Sequence, residues 1–173
     1  MDNRWISLAA AFALTVSGGM AHAAAGEGDR TLTLAGTGAS DKDFDNNSAG
    51  VTGELGWFLS DQWEVGVRQS VNVFSQDGDG SDWSGATRAF ADYHFGSGPF
   101  QPFVGVSLGA IYGEHVKDTG FGGPEVGFKQ WVKDDVYLEL QVEYQFLFES
   151  AGDIDDNFDD GALAYTFGVG FTF

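Results

Sequence analysis

Thirteen consecutive residues, Val136-Tyr-Leu-Glu-Leu-Gln-Val-Glu-Tyr-Gln-Phe-Leu-Phe148, alternate without a break. One face reads Val136, Leu138, Leu140, Val142, Tyr144, Phe146 and Phe148. The other reads Tyr137, Glu139, Gln141, Glu143, Gln145 and Leu147. A period of two belongs to a β-strand, since successive side chains point to opposite faces. Soluble strands are mostly about 5–6 residues long, whereas a tilted strand crossing hydrocarbon needs about 9–11. The chain must therefore accommodate a strand of membrane-crossing length with one oily and one charged face.

The same alternation recurs along the chain and predicts eight strands, at 30–38, 49–59, 63–74, 84–95, 102–112, 124–132, 136–148 and 162–173. Helical periodicity is nearly absent after the N-terminal segment. The connections alternate too. Those at 60–62, 96–101 and 133–135 are short, and those at 40–48, 76–83, 113–123 and 150–161 are long and rich in Gly, Asp and Asn. Short and long links alternating through an even number of strands put the long loops at one end and both termini at the other. That is an all-β, antiparallel, up-and-down barrel of eight strands.

The N-terminus has a different character. Arg4 precedes an apolar run at 6–16, and Ala21-His-Ala23 offers a small-x-small cleavage site. These features predict a secretory signal peptide over 1–23, with Ala25 as an alternative end, and leave 24–173 as one barrel domain. The other reading, a transmembrane anchor, requires a longer apolar run. There is no cysteine, so an exported chain of this kind has no disulfide to staple it. A formal net charge of -18 argues against a nucleic-acid partner.

A soluble β-sandwich also alternates, so the content of the second face has to decide. Besides Gly and small polar residues it carries Glu54, Glu64, Arg68, Arg88, Asp92, Glu125, Lys129, Glu139 and Glu143. An eight-stranded barrel has an interior just wide enough for side chains, so it can enclose such a face and turn the oily one toward lipid. Counting from the short turns places Glu54 level with Arg68 and Lys129 level with Glu139. Two interior ion pairs are expected there, with Arg88 near Glu125 or Glu143. Trp57, Trp63, Phe95 and Phe173 fall near the short-turn end, and Tyr112, Phe148 and Tyr165 near the other, as two interfacial girdles would.

The chain ends on Tyr165, Phe167, Val169, Phe171 and Phe173, at alternating positions with only Thr or Gly between them. This resembles the C-terminal signal of bacterial outer-membrane proteins. The resemblance extends over 24–173, whose stretch "PFVGVSLGAIYG…DTGFGGPEVGFKQWVKDDVYLELQVEYQFLF" is similar to the glycine-rich hairpin, turn and long strand of the small outer-membrane β-barrel superfamily. That superfamily holds the OmpA-, OmpX- and OmpW-like barrels and the opacity proteins. The resemblance implies a Gram-negative outer-membrane location and a monomeric barrel among outer-membrane lipid and lipopolysaccharide. It also implies handling by periplasmic chaperones and recognition of the terminal segment by the barrel-assembly machinery. Unlike the OmpA type, no peptidoglycan-binding domain is expected after the barrel.

Three kinds of chemistry follow from the residues. The interior charges form either a plug holding a narrow barrel shut or a selectivity filter, and the plug is the favoured reading. The loop acids, among them Asp77, Asp79, Asp155 and Asp159, are oxygen-rich enough for calcium, yet the run starting at Asp41 lacks the glycine and the bidentate acid of an EF-hand loop. A solvated acidic rim, which divalent ions could bridge to lipopolysaccharide, or adaptation to a salty habitat is the favoured account, so no cofactor is expected and loop calcium is the lesser reading. Lipid-modifying barrels use a Ser-His site. Here the only histidines after the signal segment are His94 and His115, neither in a His-x-Ser arrangement, so no enzyme is expected. The expected role is structural or surface-interactive. The alternative is an OmpW-like narrow, porin-like conduit for small solutes, with a lipid-modifying enzyme third.

Overall fold

A computed structural model describes residues 25–41, 47–75, 81–113, 119–148 and 161–173. The signal segment, His115 and the loop acids Asp77, Asp79, Asp155 and Asp159 lie outside the described residues. Eight strands follow one another: β1 (Arg30–Asp41), β2 (Asn47–Phe58), β3 (Trp63–Ser75), β4 (Ser81–His94), β5 (Phe100–Gly113), β6 (Thr119–Lys133), β7 (Val136–Phe148) and β8 (Gly161–Thr172). Each pairs antiparallel with its neighbour in sequence, and β8 returns to β1, closing the barrel.

Closure runs to the last residue. β1 and β8 pair from Thr31↔Thr172 to Asp41↔Ala162, and Arg30 and Phe173 exchange two backbone hydrogen bonds of 3.1 and 3.0 Å. The register fixes the width. From Val136 the pairs step through Phe171, Leu32, Leu55, Val67, Ala89, Leu108 and Gly122 and return to β7 at Phe146, ten residues along. Eight strands with that stagger tilt by about 40° and enclose a cylinder of roughly 8 Å radius, room for side chains and little else.

Alternation sorts the two faces. Leu34, Val51, Val106, Leu108, Val126 and Phe167 are each more than half exposed on the outside. Arg68, Lys129, Glu64 and Glu139 are almost wholly buried within. Around the short-turn end the exposed rings of Trp57, Trp63, Phe95, Phe100 and Phe173 form a belt, in which Tyr93 packs edge-on against Trp63 and Phe95 at 5.3 and 5.1 Å. Residues 25–29 fold across that mouth. Gly28, in the left-handed region at φ 92°, donates to the Phe58 carbonyl, and Ala25 is buried with Phe58, Trp131 and Tyr137.

Strand limits differ most from the sequence reading at β6, which begins at Thr119 instead of 124. The Gly120-Phe-Gly-Gly123 run looks like loop punctuation, but its residues continue the ladder through Ala110↔Gly120 and Ser107↔Gly123. Glycine is required there because a Cβ on Gly123 would collide with the Tyr144 carbonyl. β1, β2, β4 and β5 likewise extend two or three residues further than alternation alone indicates, because ladder hydrogen bonds persist where side-chain contrast fades.

A charge on the outer band tests which medium it faces. Val106→Arg, mid-way along β5, is expected to lower folding stability in lipid vesicles by about 2–4 kcal/mol. Denaturant titration would measure it, and a change within about 0.5 kcal/mol, typical of a water-exposed surface position, would contradict the outward-lipid orientation.

Candidate functional site

The interior is built in tiers. At the short-turn end Phe58, Trp131 and Tyr137 pack into an aromatic floor that Phe103 continues on the other side of the His94 ring, and the Trp131 indole N–H donates to Gln101 Oε1 at 2.8 Å. Trp131 and Tyr137 are direct partners on β6 and β7, their rings 4.9 Å apart. The ring of Tyr137 fits because its neighbour on β8 is Gly170, where any Cβ would strike it.

Above this floor lies Glu64. Its carboxylate accepts from Thr31 Oγ1 (2.5 Å) and Lys129 Nζ (2.6 Å), and meets His94 Nε2 at 2.9 Å. The Lys129 ammonium also stands 3.7 Å from Glu139 and 4.8 Å over the Tyr137 ring. The Tyr137 hydroxyl is hydrogen-bonded to Thr33 at 2.8 Å. His94 is sandwiched between Phe58 and Phe103 at 5.1 and 5.2 Å.

The middle tier is organised by Arg68. Its guanidinium bonds Glu54, its direct partner on β2, reaches Glu125 at 2.6 Å and Asp92 at 3.4 Å, and stacks 4.0 Å over Phe90. Gln141 Nε2 donates to the same Glu125 oxygen at 2.7 Å. Next comes Arg88, 2.8 Å from Glu143, which also accepts from Ser107 and from Gln145 Nε2 at 3.0 Å.

The register creates two like-charged neighbours. Arg68 is the direct partner of Arg88, and Glu125 that of Glu143. The conflict is resolved across the bore, where β3 and β4 face β6 and β7: Arg68 bridges to Glu125 and Arg88 to Glu143. Glu54, Arg68, Lys129 and Glu139 are in contact with their expected cross-strand partners, and Arg88 meets Glu143 and not Glu125. Sequence reasoning missed Glu64 as the nearer partner of Lys129, the role of Asp92, and the aromatic floor. The first depends on a contact through the lumen, which no pattern along one strand reveals, and the other two on diagonal and end-on contacts between strands that counting direct partners does not register. Tyr165, Phe167, Val169, Phe171 and Phe173 all face outward.

Among the described residues, six buried carboxylates (Glu54, Glu64, Asp92, Glu125, Glu139, Glu143) oppose three buried bases (Arg68, Arg88, Lys129) and one histidine. Glu64, Asp92 and His94 lie close enough together to suggest a metal site, but the Lys129 ammonium already occupies Glu64 at 2.6 Å and would repel a cation. Service among the acids is unequal. Asp92 has a single ion-pair contact, at 3.4 Å, and a bare Oδ1, and Glu139 has contacts of 3.5 and 3.7 Å and a bare Oε1.

This inequality has a measurable consequence. Arg68→Met strands three carboxylates and is expected to cost about 3–5 kcal/mol, whereas Asp92→Asn and Glu139→Gln, which each remove a poorly compensated charge, are expected to be neutral or stabilising. Urea titration of the refolded barrel would rank the three, and the reverse order would break the assignment of Arg68 as the organising charge.

No protein-family model matches the sequence, and no curated protein matches it. Solved structures do match. The outer membrane protein OprG from Pseudomonas aeruginosa is 12% identical with a TM-score of 0.63, over 86% of this chain and 97% of that one. Neisserial surface protein A is 14% identical with a TM-score of 0.60, over 83% and 94%. The N-terminal barrel domain of Pseudomonas aeruginosa OprF is 19% identical with a TM-score of 0.55, over 86% and 100%. At these identities the likeness is one of fold, and the chain has the closed eight-stranded fold of the small outer-membrane barrels.

Proposed function

We propose that this chain is a monomeric protein of the bacterial outer membrane, exported by a leader at 1–23, with a structural or surface-interaction role and a lumen closed by its own side chains. The observation that carries this reading is the pair of cross-lumen bridges, Arg68–Glu125 and Arg88–Glu143, standing above a four-ring floor. A bore of roughly 8 Å radius is filled by such groups, and opening it means separating buried ion pairs at about 3–5 kcal/mol each. The barrel then offers the cell its rim. The acidic loops, with Asp77, Asp79, Asp155 and Asp159, would meet lipopolysaccharide through bridging divalent ions, and the terminal stripe from Tyr165 to Phe173 would serve the assembly machinery during insertion. Catalysis has no support in the interior, since His94 is walled in by Phe58, Phe103 and Glu64 with no room for a substrate.

The competing reading is a narrow conduit, and planar-bilayer recording separates the two. The purified barrel is expected to show no steady conductance, and Arg68→Ser or Arg88→Ser, each of which leaves the aromatic floor and the Glu64–Lys129 pair in place, is expected to show none either. A steady conductance of the unaltered protein, changed in size or selectivity by either substitution, would overturn the closed lumen.

A further inference from the structure

One part of the lipid-facing wall breaks the rule that the wall is apolar. Gln69 on β3, Thr87 on β4 and Tyr112 on β5 point outward, and Gln69 lies between the exposed Val67 and Val71 on the same face. Gln69 is six residues above Trp63, roughly 15 Å along the barrel axis and so inside an apolar band about 25 Å tall. Their side chains close a ring: Gln69 Nε2 donates to the Tyr112 hydroxyl (2.7 Å), and Thr87 Oγ1 donates to Gln69 Oε1 (2.6 Å). With the Thr87 proton committed, the 3.0 Å contact makes the Tyr112 hydroxyl the donor to Thr87. The second N–H of Gln69 goes to the Ser70 carbonyl at 3.2 Å.

Every proton of the ring is thus in use, while its three oxygens keep free lone pairs. Beside it the wall is notched. Gly53, the direct partner of Gln69, has open space where a side chain would stand. The groove there measures 330 Å³ and is lined by Leu32, Leu55, Val67, Gln69 and Thr87 among others. That falls within the range of about 300–1,000 Å³ usual for small-ligand sites.

We propose that this groove binds one hydroxylated lipid acyl chain, its methylenes against Leu32, Leu55 and Val67 and its hydroxyl donating to the ring of Gln69, Thr87 and Tyr112. The donor inventory selects the occupant. A plain acyl chain leaves the acceptors unmet in hydrocarbon. A second copy of this chain placed face to face would set acceptors against acceptors. A hydroxyl at mid-chain depth supplies the missing donor and nothing more. The inference rests on the lipid-facing orientation of this wall but not on the lumen being closed, so a conducting barrel would leave it intact.

The test uses the full barrel in micelles, titrated with 10-hydroxyoctadecanoic acid and, separately, octadecanoic acid, while the amide resonances of Gly53, Gln69 and Thr87 are followed by NMR. Saturable shifts are expected with both, about two- to twelvefold tighter with the hydroxy acid, the range one net hydrogen bond supplies. Gly53→Leu fills the notch and should abolish both, while Gln69→Leu should bring the two acids to similar affinity. Heat-modifiable gel migration of each variant confirms that it folds. Equal affinity of the unaltered protein for the two acids, or binding undiminished in Gly53→Leu, would overturn the proposal. So would concentration-dependent shifts at these amides without any acid, which mark self-association instead.

Discussion

A strand in hydrocarbon has no water to satisfy its backbone, so each N–H and C=O must find a partner on a neighbouring strand, and the only sheet that leaves none over is one that closes on itself. In this chain closure is made by β1 and β8, whose ladder continues through Arg30 and Phe173. The remaining features depend on that joint. It sets the stagger at ten residues, the stagger sets tilt and radius, and the radius leaves an interior that side chains alone can fill. Phe173 therefore does two things at once: its backbone completes the ladder while its ring, two-thirds exposed, joins the belt at the short-turn end.

Closure also decides the electrostatics. Charges that would be solvated on an open sheet are held within a narrow cylinder, where an unpaired one is costly. Direct neighbours of like sign, Arg68 beside Arg88 and Glu125 beside Glu143, would repel if each looked only along the sheet. Because the barrel brings β3 and β4 opposite β6 and β7, both repulsions become attractions across the bore. The same residues that fill the lumen thus tie its walls together, and filling and tying are one effect.

How much of this can be read from the sequence depends on how far apart in the chain the contacting residues are. The limits of β7, Val136–Phe148, follow directly from alternation. The contact of Glu54 with Arg68 follows from counting back from the turn at Ser60, since a short turn sets the register of its own hairpin. Lys129 and Glu139 pair across the short turn between β6 and β7 in the same way, despite the bulge between Trp131 and Lys133. Contacts that cross the lumen are not local. Lys129 meets Glu64, 65 residues away, only because of the particular stagger, which no single hairpin reveals. Glycine is the other blind spot: at Gly122 and Gly123 it marks close strand approach instead of a turn, and periodicity has nothing to register there.

The outer wall shows where those rules carry functional information. On an apolar outer face, Leu, Val and Phe need no separate explanation, because the proposed lipid surroundings would account for each of them. Gln69 and Gly53 are not accounted for in that way: the first places an amide on an otherwise apolar wall, and the second removes packing surface from a strand. They are also each other's direct partners, and Thr87 and Tyr112 complete the ring next to the gap. Independent departures from a local rule tend to scatter, whereas departures serving a common ligand converge on one place. The interior departs from apolarity throughout and balances itself by pairing. The exterior departs from it here with its donors spent and its acceptors free, and the proposed hydroxylated chain is the complement that such a set of acceptors selects.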